Sequence, residues 1–217
     1  MENAIQPLLF LVILIFSVVI HEVSHGYAAL KLGDRTAQYE GRLTLNPIPH
    51  IDLFGSIILP LLMVLLQSPF LIGWAKPVPY NPYNLRNQKW GPAIVGAAGP
   101  LANIAVAVVF ALIFRFLPSL ADGSSGSFIL NLMAITSAIA FLNLMLAFFN
   151  LIPIPPLDGS KVLFSILPYR WSGIQALLEQ YGFFLLLFLL FASGVGGLVF
   201  RAARAVFNLI AGANPFL

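Results

Sequence analysis

The stretch from Pro7 to Lys31 runs LLFLVILIFSVVIHEVSHGYAALK after its proline. An apolar run of that length reads as a membrane-spanning helix. Toward its end stand three ionisable residues within five positions, His21, Glu22 and His25. A charged group at the middle of such a helix costs roughly 2.5–3.5 kcal/mol on insertion, so these residues need a reason to be there. His21 and His25 are four apart and share one helix face, one turn from each other. Two imidazoles at that spacing can bind one tetrahedral zinc ion. Glu22 projects beside them, where it can take a proton from a water molecule that the metal activates. At 1.5 Å per residue His21 lies about 21 Å along from Pro7, inside a hydrocarbon core ~30 Å thick. The metal would therefore sit below the membrane surface.

The rest of the chain supports a membrane setting. Only 9% of its 217 residues are charged, and its mean hydropathy is +0.93. A soluble domain carries about 25% charged residues. The expected fold is an all-α polytopic membrane protein forming a single domain over residues 1–217, with a core at 7–167 and a C-terminal span and amphipathic helix at 174–212. A formal charge of +3 built from so few groups says little about nucleic acid, and none is expected as a partner; the positive loop residues set orientation instead. Cysteine is absent, which excludes disulfides, thiol catalysis and Cys-type zinc sites and leaves His, Asp and Glu as ligands. The first segment opens on Glu2 rather than a basic region and has no small-residue cleavage site before HEVSH, so it does not read as a signal peptide.

Beyond Lys31 the apolar pattern breaks at Asp34–Asp52, DRTAQYEGRLTLNPIPHID. Thr36, Gln38 and Glu40 alternate with Ala37 and Tyr39, Gly41 offers a turn, and RLTL can form a second short strand. The expectation is a small β-hairpin at the membrane surface. Leu53–Ile72 is apolar but interrupted by Gly55, Pro60 and Pro69, and Pro77, Pro79 and Pro82 then forbid a regular helix. Further spans are expected at Gly91–Phe116, whose Gly96, Gly99, Ala102 and Asn103 make a face for close helix approach, at Ser127–Asn150 and at Ile174–Phe200. A short terminal helix carries Arg201 and Arg204 on one side.

Two histidines need a third protein ligand, with water in the fourth position of a catalytic zinc site. Among the remaining acids Asp158 is the best candidate, because Pro153, Pro155 and Pro156 hold it in an extended segment at the end of a span. The alternative is an N-cap for the helix that follows; capping and ligation can both hold in part, but the neighbouring prolines and asparagines favour a constructed site. His50 and Asp52 could be further ligands, although interfacial polar residues, with Asp52 as an N-cap, explain them more simply.

HEVSH, GPLAN (Gly99–Asn103) and NLIPIPPLDG (Asn150–Gly159) together resemble the site-2 protease family of intramembrane zinc metalloproteases. The likeness covers about Val12 to Leu167. NPIPHID and GWAKPVPYNP further resemble its compact branch without PDZ or CBS domains. The resemblance implies a helical core of that family and zinc (Zn2+) bound by His21, His25 and Asp158. It also implies Glu22 as general base, and hydrolysis of peptide bonds within or near transmembrane segments of protein substrates. Asn150 matches a family asparagine that holds the substrate or the oxyanion; Asn103 is a weaker candidate for that role, since helix packing explains it equally well. Where the family often has a second glycine after the aspartate, Ser160 stands here. A metal-ion transporter and a catalytically inactive scaffold are the rival readings; neither needs Glu22 between two ligands. The partners expected are the membrane substrate and lipid, with homo-oligomerisation left open.

For His21, His25 and Asp158 to meet, an odd number of crossings must separate their spans, so Leu53–Ile72 is expected to re-enter rather than cross. Lys31, Arg35, Arg42, Lys76, Arg86, Lys89, Lys161 and Arg170 then share the metal side, against Arg115, Arg201 and Arg204 opposite. The positive-inside rule places a multi-pass protein in the cell (inner) membrane, its site opening toward the cytoplasm and its N-terminus outside.

Overall fold

The computed structural model describes residues 2–66, 73–120 and 126–212. Its helices are α1 (Glu2–Lys31), α2 (Thr36–Tyr39), α3 (Leu59–Leu65), α4 (Gly91–Phe116), α5 (Gly126–Asn150), α6 (Gly159–Ile166), α7 (Ser172–Ala192) and α8 (Val195–Ala211), with short 3₁₀ and π turns between them. Among the described residues, four stretches are long and apolar enough to cross a membrane: Leu8–Lys31, Gly91–Ser119, Gly126–Asn150 and Ser172–Ala192. Their outward residues are apolar, as lipid contact demands. Leu8, Phe10, Leu11 and Phe16 on α1 and Phe183, Phe184, Phe188 and Phe191 on α7 are all exposed.

The organising element is α4, which packs against α1, α5, α6 and α8. Its buried stripe of Gly91, Ala93, Gly96, Gly99, Asn103, Ala107 and Ala111 is made of small residues and one amide. Without a hydrophobic force between helices in lipid, such stripes let backbones approach closely. Below the polar level, Ala107, Ala111 and Phe114 of α4 pack with Ile129, Met133, Ala140 and Leu144 of α5 and Ala203, Phe207 and Ala211 of α8. α8 reaches this cluster through a line of buried residues four apart: Val199, Ala203, Phe207 and Ala211. The span expected at Ile174–Phe200 ends earlier, at Ala192. Gly194, at φ +71°, turns the chain and places Phe200 on α8, where it meets Phe141 with ring centroids 5.3 Å apart.

The β-hairpin expected within Asp34–Asp52 is not there; among the described residues the protein has no strand. Thr36–Tyr39 is one helical turn. Asp34 starts it, its Oδ1 accepting from the backbone N–H of Thr36 at 3.2 Å and from the Thr36 hydroxyl at 2.6 Å. The alternating pattern misled because it did not correspond to one buried face: Ala37 is buried but Tyr39 is 79% exposed. The RLTL segment does not pair back either. Arg42 is buried, and its guanidinium donates to the carbonyls of Lys76 and Pro77 at 2.8 and 3.2 Å. Asp34 is a second tie between distant segments, accepting from Asn81 N at 2.7 Å and Asn84 Nδ2 at 2.9 Å. Burial pushes its carboxyl up, but the hydrogen bonds from Thr36, Asn84 and Asn81 outweigh that and hold it below the usual carboxylate range.

Asp52 is an N-cap, its Oδ1 accepting from Gly55 N at 2.6 Å. It starts six residues of π-helix, Leu53–Ile58, that lead into the seven of α3. The pair is under about 20 Å long, short of a ~30 Å crossing. Residues 67–72 of the expected re-entrant stretch lie outside the described residues. On either side of them the chain meets itself: Trp74 N donates to Gly55 O at 3.2 Å, and Ser56 Oγ donates to Trp74 O at 2.7 Å. The segment has come back to the level at which it set out.

Candidate metal centre

Three elements supply the centre. His21 and His25 project from α1 toward α4 and α6, and Asp158 stands at the N-terminal end of α6. All three are buried, at 6% exposure each. Asp158 occupies the N-cap position, yet its side chain makes no capping bond. It turns instead to the histidines, placing Oδ2 2.9 Å from His21 Nε2 and 3.0 Å from His25 Nε2. Glu22 is close by, with ligand-type atoms of His21, Glu22 and His25 all within 4.8 Å of one another.

What these atoms can bind follows from the opposite edge of each ring. Asn103 Nδ2 lies 3.2 Å from the backbone carbonyl of Ser17 and 2.6 Å from Asn143 Oδ1. A backbone carbonyl only accepts, so the Asn103 amide nitrogen must face it and the amide oxygen must face His21. His21 Nδ1, 2.5 Å from that oxygen, therefore carries a proton and donates it. His25 Nδ1 likewise donates to the Val95 carbonyl, at 2.6 Å. Neutral rings protonated at Nδ1 leave both Nε2 atoms with lone pairs, and both face a carboxylate oxygen. Three electron-rich atoms gathered this closely repel one another unless a cation lies among them. Two imidazole nitrogens and one carboxylate oxygen are the donor set of a catalytic zinc site, and the second partner on each ring fixes the tautomer that such a site needs. α4 leaves room for an ion by carrying no side chain at Gly99, where a Cβ would stand 2.5 Å from His25 Nε2 and 2.6 Å from His21 Nε2.

The amides continue into a network across three spans. Asn143 Nδ2 of α5 donates to Ser17 Oγ of α1 at 2.9 Å and to the Ile139 carbonyl at 2.8 Å. Asn103 and Asn143 are fully enclosed. The structure thus sets Asn103 behind His21. Asn103→Leu keeps the volume and removes the acceptor, so zinc affinity measured by chelator competition should fall about 10–100-fold, the usual cost of losing such a partner. Unchanged affinity would leave Asn103 with helix packing alone.

A cavity of about 140 Å³ opens at the centre. Its lining includes His21, Glu22, His25, Asn150, Asp158 and Lys161, with Pro77, Val78 and Tyr80 as the facing wall. Glu22 Oε2 accepts from the Val78 N–H at 2.8 Å, which holds the carboxylate against that wall. Asn150 donates from Nδ2 to Leu146 O, 2.9 Å away in its own helix, and keeps a place on the cavity. Ser160 is buried and satisfied, its hydroxyl donating to Leu157 O at 2.6 Å. His50 is buried elsewhere, its Nε2 donating to Thr44 O at 3.0 Å. Two contributors were not singled out from the sequence: Ser17, one turn before His21, and Lys161, three residues after Asp158 on the same helical face. Lys161 Nζ lies 2.9 Å from Asp158 Oδ1. Burial pushes its ammonium down, but the neighbouring Asp158 charge more than offsets this and holds it above the usual lysine range.

Comparison with known proteins agrees with this chemistry. The model of Peptidase family M50 matches residues 124–190, a stretch that carries Asn150 and Asp158 but begins after the histidines. "Putative zinc metalloprotease YwhC" of Bacillus subtilis (strain 168) is 36% identical over 186 residues, covering 86% of this chain and 81% of that protein. "Putative zinc metalloprotease Rip2" of Mycolicibacterium smegmatis is 28% identical over 94% of this chain and 74% of its own length. "Zinc metalloprotease MJ0392" of Methanocaldococcus jannaschii is 26% identical over 81% of this chain and 39% of its own length. No solved structure matches the chain significantly. The metal centre, the four apolar helices and these relatives converge: the chain is a multi-pass membrane zinc metalloprotease and belongs to Peptidase family M50, the site-2 proteases.

Proposed function

We propose that the chain hydrolyses peptide bonds within or near transmembrane segments of membrane proteins, with zinc held by His21, His25 and Asp158 and with Glu22 as general base. The observation that carries this reading is the convergence of two imidazole Nε2 atoms and one carboxylate oxygen beside Glu22, on a helix that runs through the apolar layer. When bound, zinc supplies a Lewis acid that lowers the pKa of water toward ~7 and polarises the scissile carbonyl. Glu22, fixed by the Val78 N–H, takes the proton from the attacking water and passes it to the leaving amide nitrogen. Asn150 presents its amide to the substrate from the cavity wall.

A transmembrane substrate must unwind before attack, and its freed backbone groups must find partners. Two segments come into question as a pairing edge, a hairpin at Thr36–Leu45 and the stretch Trp74–Tyr80. The first does not form. In the second, Lys76 N donates to His50 O, Val78 N donates to Glu22, and Pro77 and Pro79 have no N–H. Trp74 N is likewise taken, by Gly55 O, so this wall has few donors left for a strand, and its ties position the base. The freed carbonyls fall instead to side-chain donors in the cavity.

The site opens toward the cytoplasm in this reading. Arg86 N donates to Leu32 O, which brings the loop carrying Arg86 and Lys89 to the metal-side end of α1. Arg115 Nη1 donates to Ile210 O, which ties α8 to the far end of α4. The basic residues thus gather on the metal side, as the positive-inside rule asks of a cytoplasmic face.

The test is proteolysis by the purified protein in liposomes carrying tagged single-span membrane proteins, the fragments being sequenced by mass spectrometry. Cleavage should fall within or beside the apolar segment, stop on chelation and return with zinc. Cuts confined to the soluble portions would sink the intramembrane assignment.

A further inference from the structure

Lys161 lines the cavity beside Asp158 and has no part in the chemistry described so far. Its placement is built. The ammonium is tied to Asp158 Oδ1 at 2.9 Å and sits 5.6 Å from the centroid of the Tyr80 ring. The aliphatic stem lies over α4 where Gly96 carries no side chain; a Cβ there would meet Lys161 Cβ at 2.9 Å and Cδ at 3.1 Å. A long flexible side chain is thus held from its base, along its stem and at its tip, yet 32% of it remains exposed to the cavity. An ammonium has three N–H donors, and Asp158 takes one. Donors held in advance at the place where negative charge will develop are what oxyanion stabilisation requires, and they are worth most where water is scarce.

We propose that Lys161 is a further catalytic residue, donating a hydrogen bond from Nζ to the scissile carbonyl oxygen as that oxygen gains negative charge. The inference rests on the protease reading of the same cavity. As the water oxygen bonds to the carbonyl carbon, the C=O π pair moves to oxygen. Collapse returns that pair, breaks the C–N bond, and the nitrogen leaves with the proton that Glu22 took from water. Lys161 keeps its own proton throughout and acts only as a charged donor. With Asn150 on the same cavity it forms a donor pair, the polar counterpart to the Glu22 wall. This also gives an unwound substrate a donor beside a backbone segment with few N–H groups left to offer.

The experiment compares wild type, Lys161→Met and Lys161→Arg in proteoliposomes on one tagged single-span reporter, with zinc affinity measured separately by chelator competition. Lys161→Met should lower kcat about 10²–10³-fold with a smaller change in KM. Its zinc affinity should be undiminished, because removing a positive charge beside a cation site does not weaken that site electrostatically. Lys161→Arg should recover part of the rate, since it restores a charged donor. Lys161→Met that loses zinc would make Lys161 a mere support for Asp158 and overturn the proposal. Turnover near the wild-type rate with zinc in place would overturn it as well. Absence of zinc-dependent cleavage by the wild type would defeat the protease reading first and this inference with it.

Discussion

Glu22→Gln should retain zinc and abolish proteolysis. The substitution leaves His21, His25 and Asp158 untouched, so the donor set and the tautomers set by Asn103 and Val95 survive. The new amide keeps an oxygen that can accept from the Val78 N–H, so the facing wall stays in place. What disappears is the basic carboxylate. General acid–base catalysis typically contributes about 10²–10⁴-fold, and here one group both takes the proton from water and delivers it to nitrogen, so the loss belongs at the upper end. Metal analysis of the purified variant beside the liposome assay reads both quantities. Normal turnover by a zinc-loaded Gln variant would remove Glu22 from the mechanism.

The spans and the pairing of HEVSH with Asp158 were legible because each rests on a strong local signal. Long apolar runs have no other use, and ionisable groups inside them are expensive enough to demand a partner. Gly91–Phe116 was bounded on composition alone, and its small residues do form the face on which α1, α5, α6 and α8 converge. The parity argument over Leu53–Ile72 asks the two ends of one segment to share a side, and the bond from Trp74 N to Gly55 O fits that demand.

The loops between spans were not legible to the same degree. Thr36–Tyr39 alternates like a strand, but alternation carries information only when one face is buried, and Tyr39 faces out. What shapes that region is a set of single long-range bonds, from Asp34 to Asn81 and Asn84 and from Arg42 to Lys76 and Pro77, which no periodicity encodes. Asn103 shows a subtler limit. A buried amide in a span announces a polar partner but does not say which one, and the sequence left Asn103 between the substrate and helix packing. Only the direction of its two donors, toward Ser17 and Asn143, turns its oxygen to His21. Lys161 was hidden by its ordinariness, since a lysine one turn into a short helix reads as a solvated end until the cavity is seen.

Removing the carboxylate at Asp158 should have the largest effect on metal. In Asp158→Ala the two Nε2 atoms remain, but the third donor is gone and the Lys161 ammonium loses its counter-charge. A cation then faces the metal position with nothing between them. Loss of affinity should exceed the about 10–100-fold expected for a partner one step removed from the metal, and proteolysis should vanish with it. His50→Ala is the control, because His50 is equally buried yet hydrogen-bonded to Thr44 in the loop before Asp52 and absent from the cavity wall. Its zinc content should stay near normal, whatever it costs the loop in stability. Both variants are measured by metal analysis after equilibration against a zinc buffer. A zinc-replete Asp158→Ala beside a zinc-depleted His50→Ala would reverse the assignment. The third ligand would then have to come from the loop preceding Asp52, which would have to rearrange to bring His50 to the two Nε2 atoms on α1.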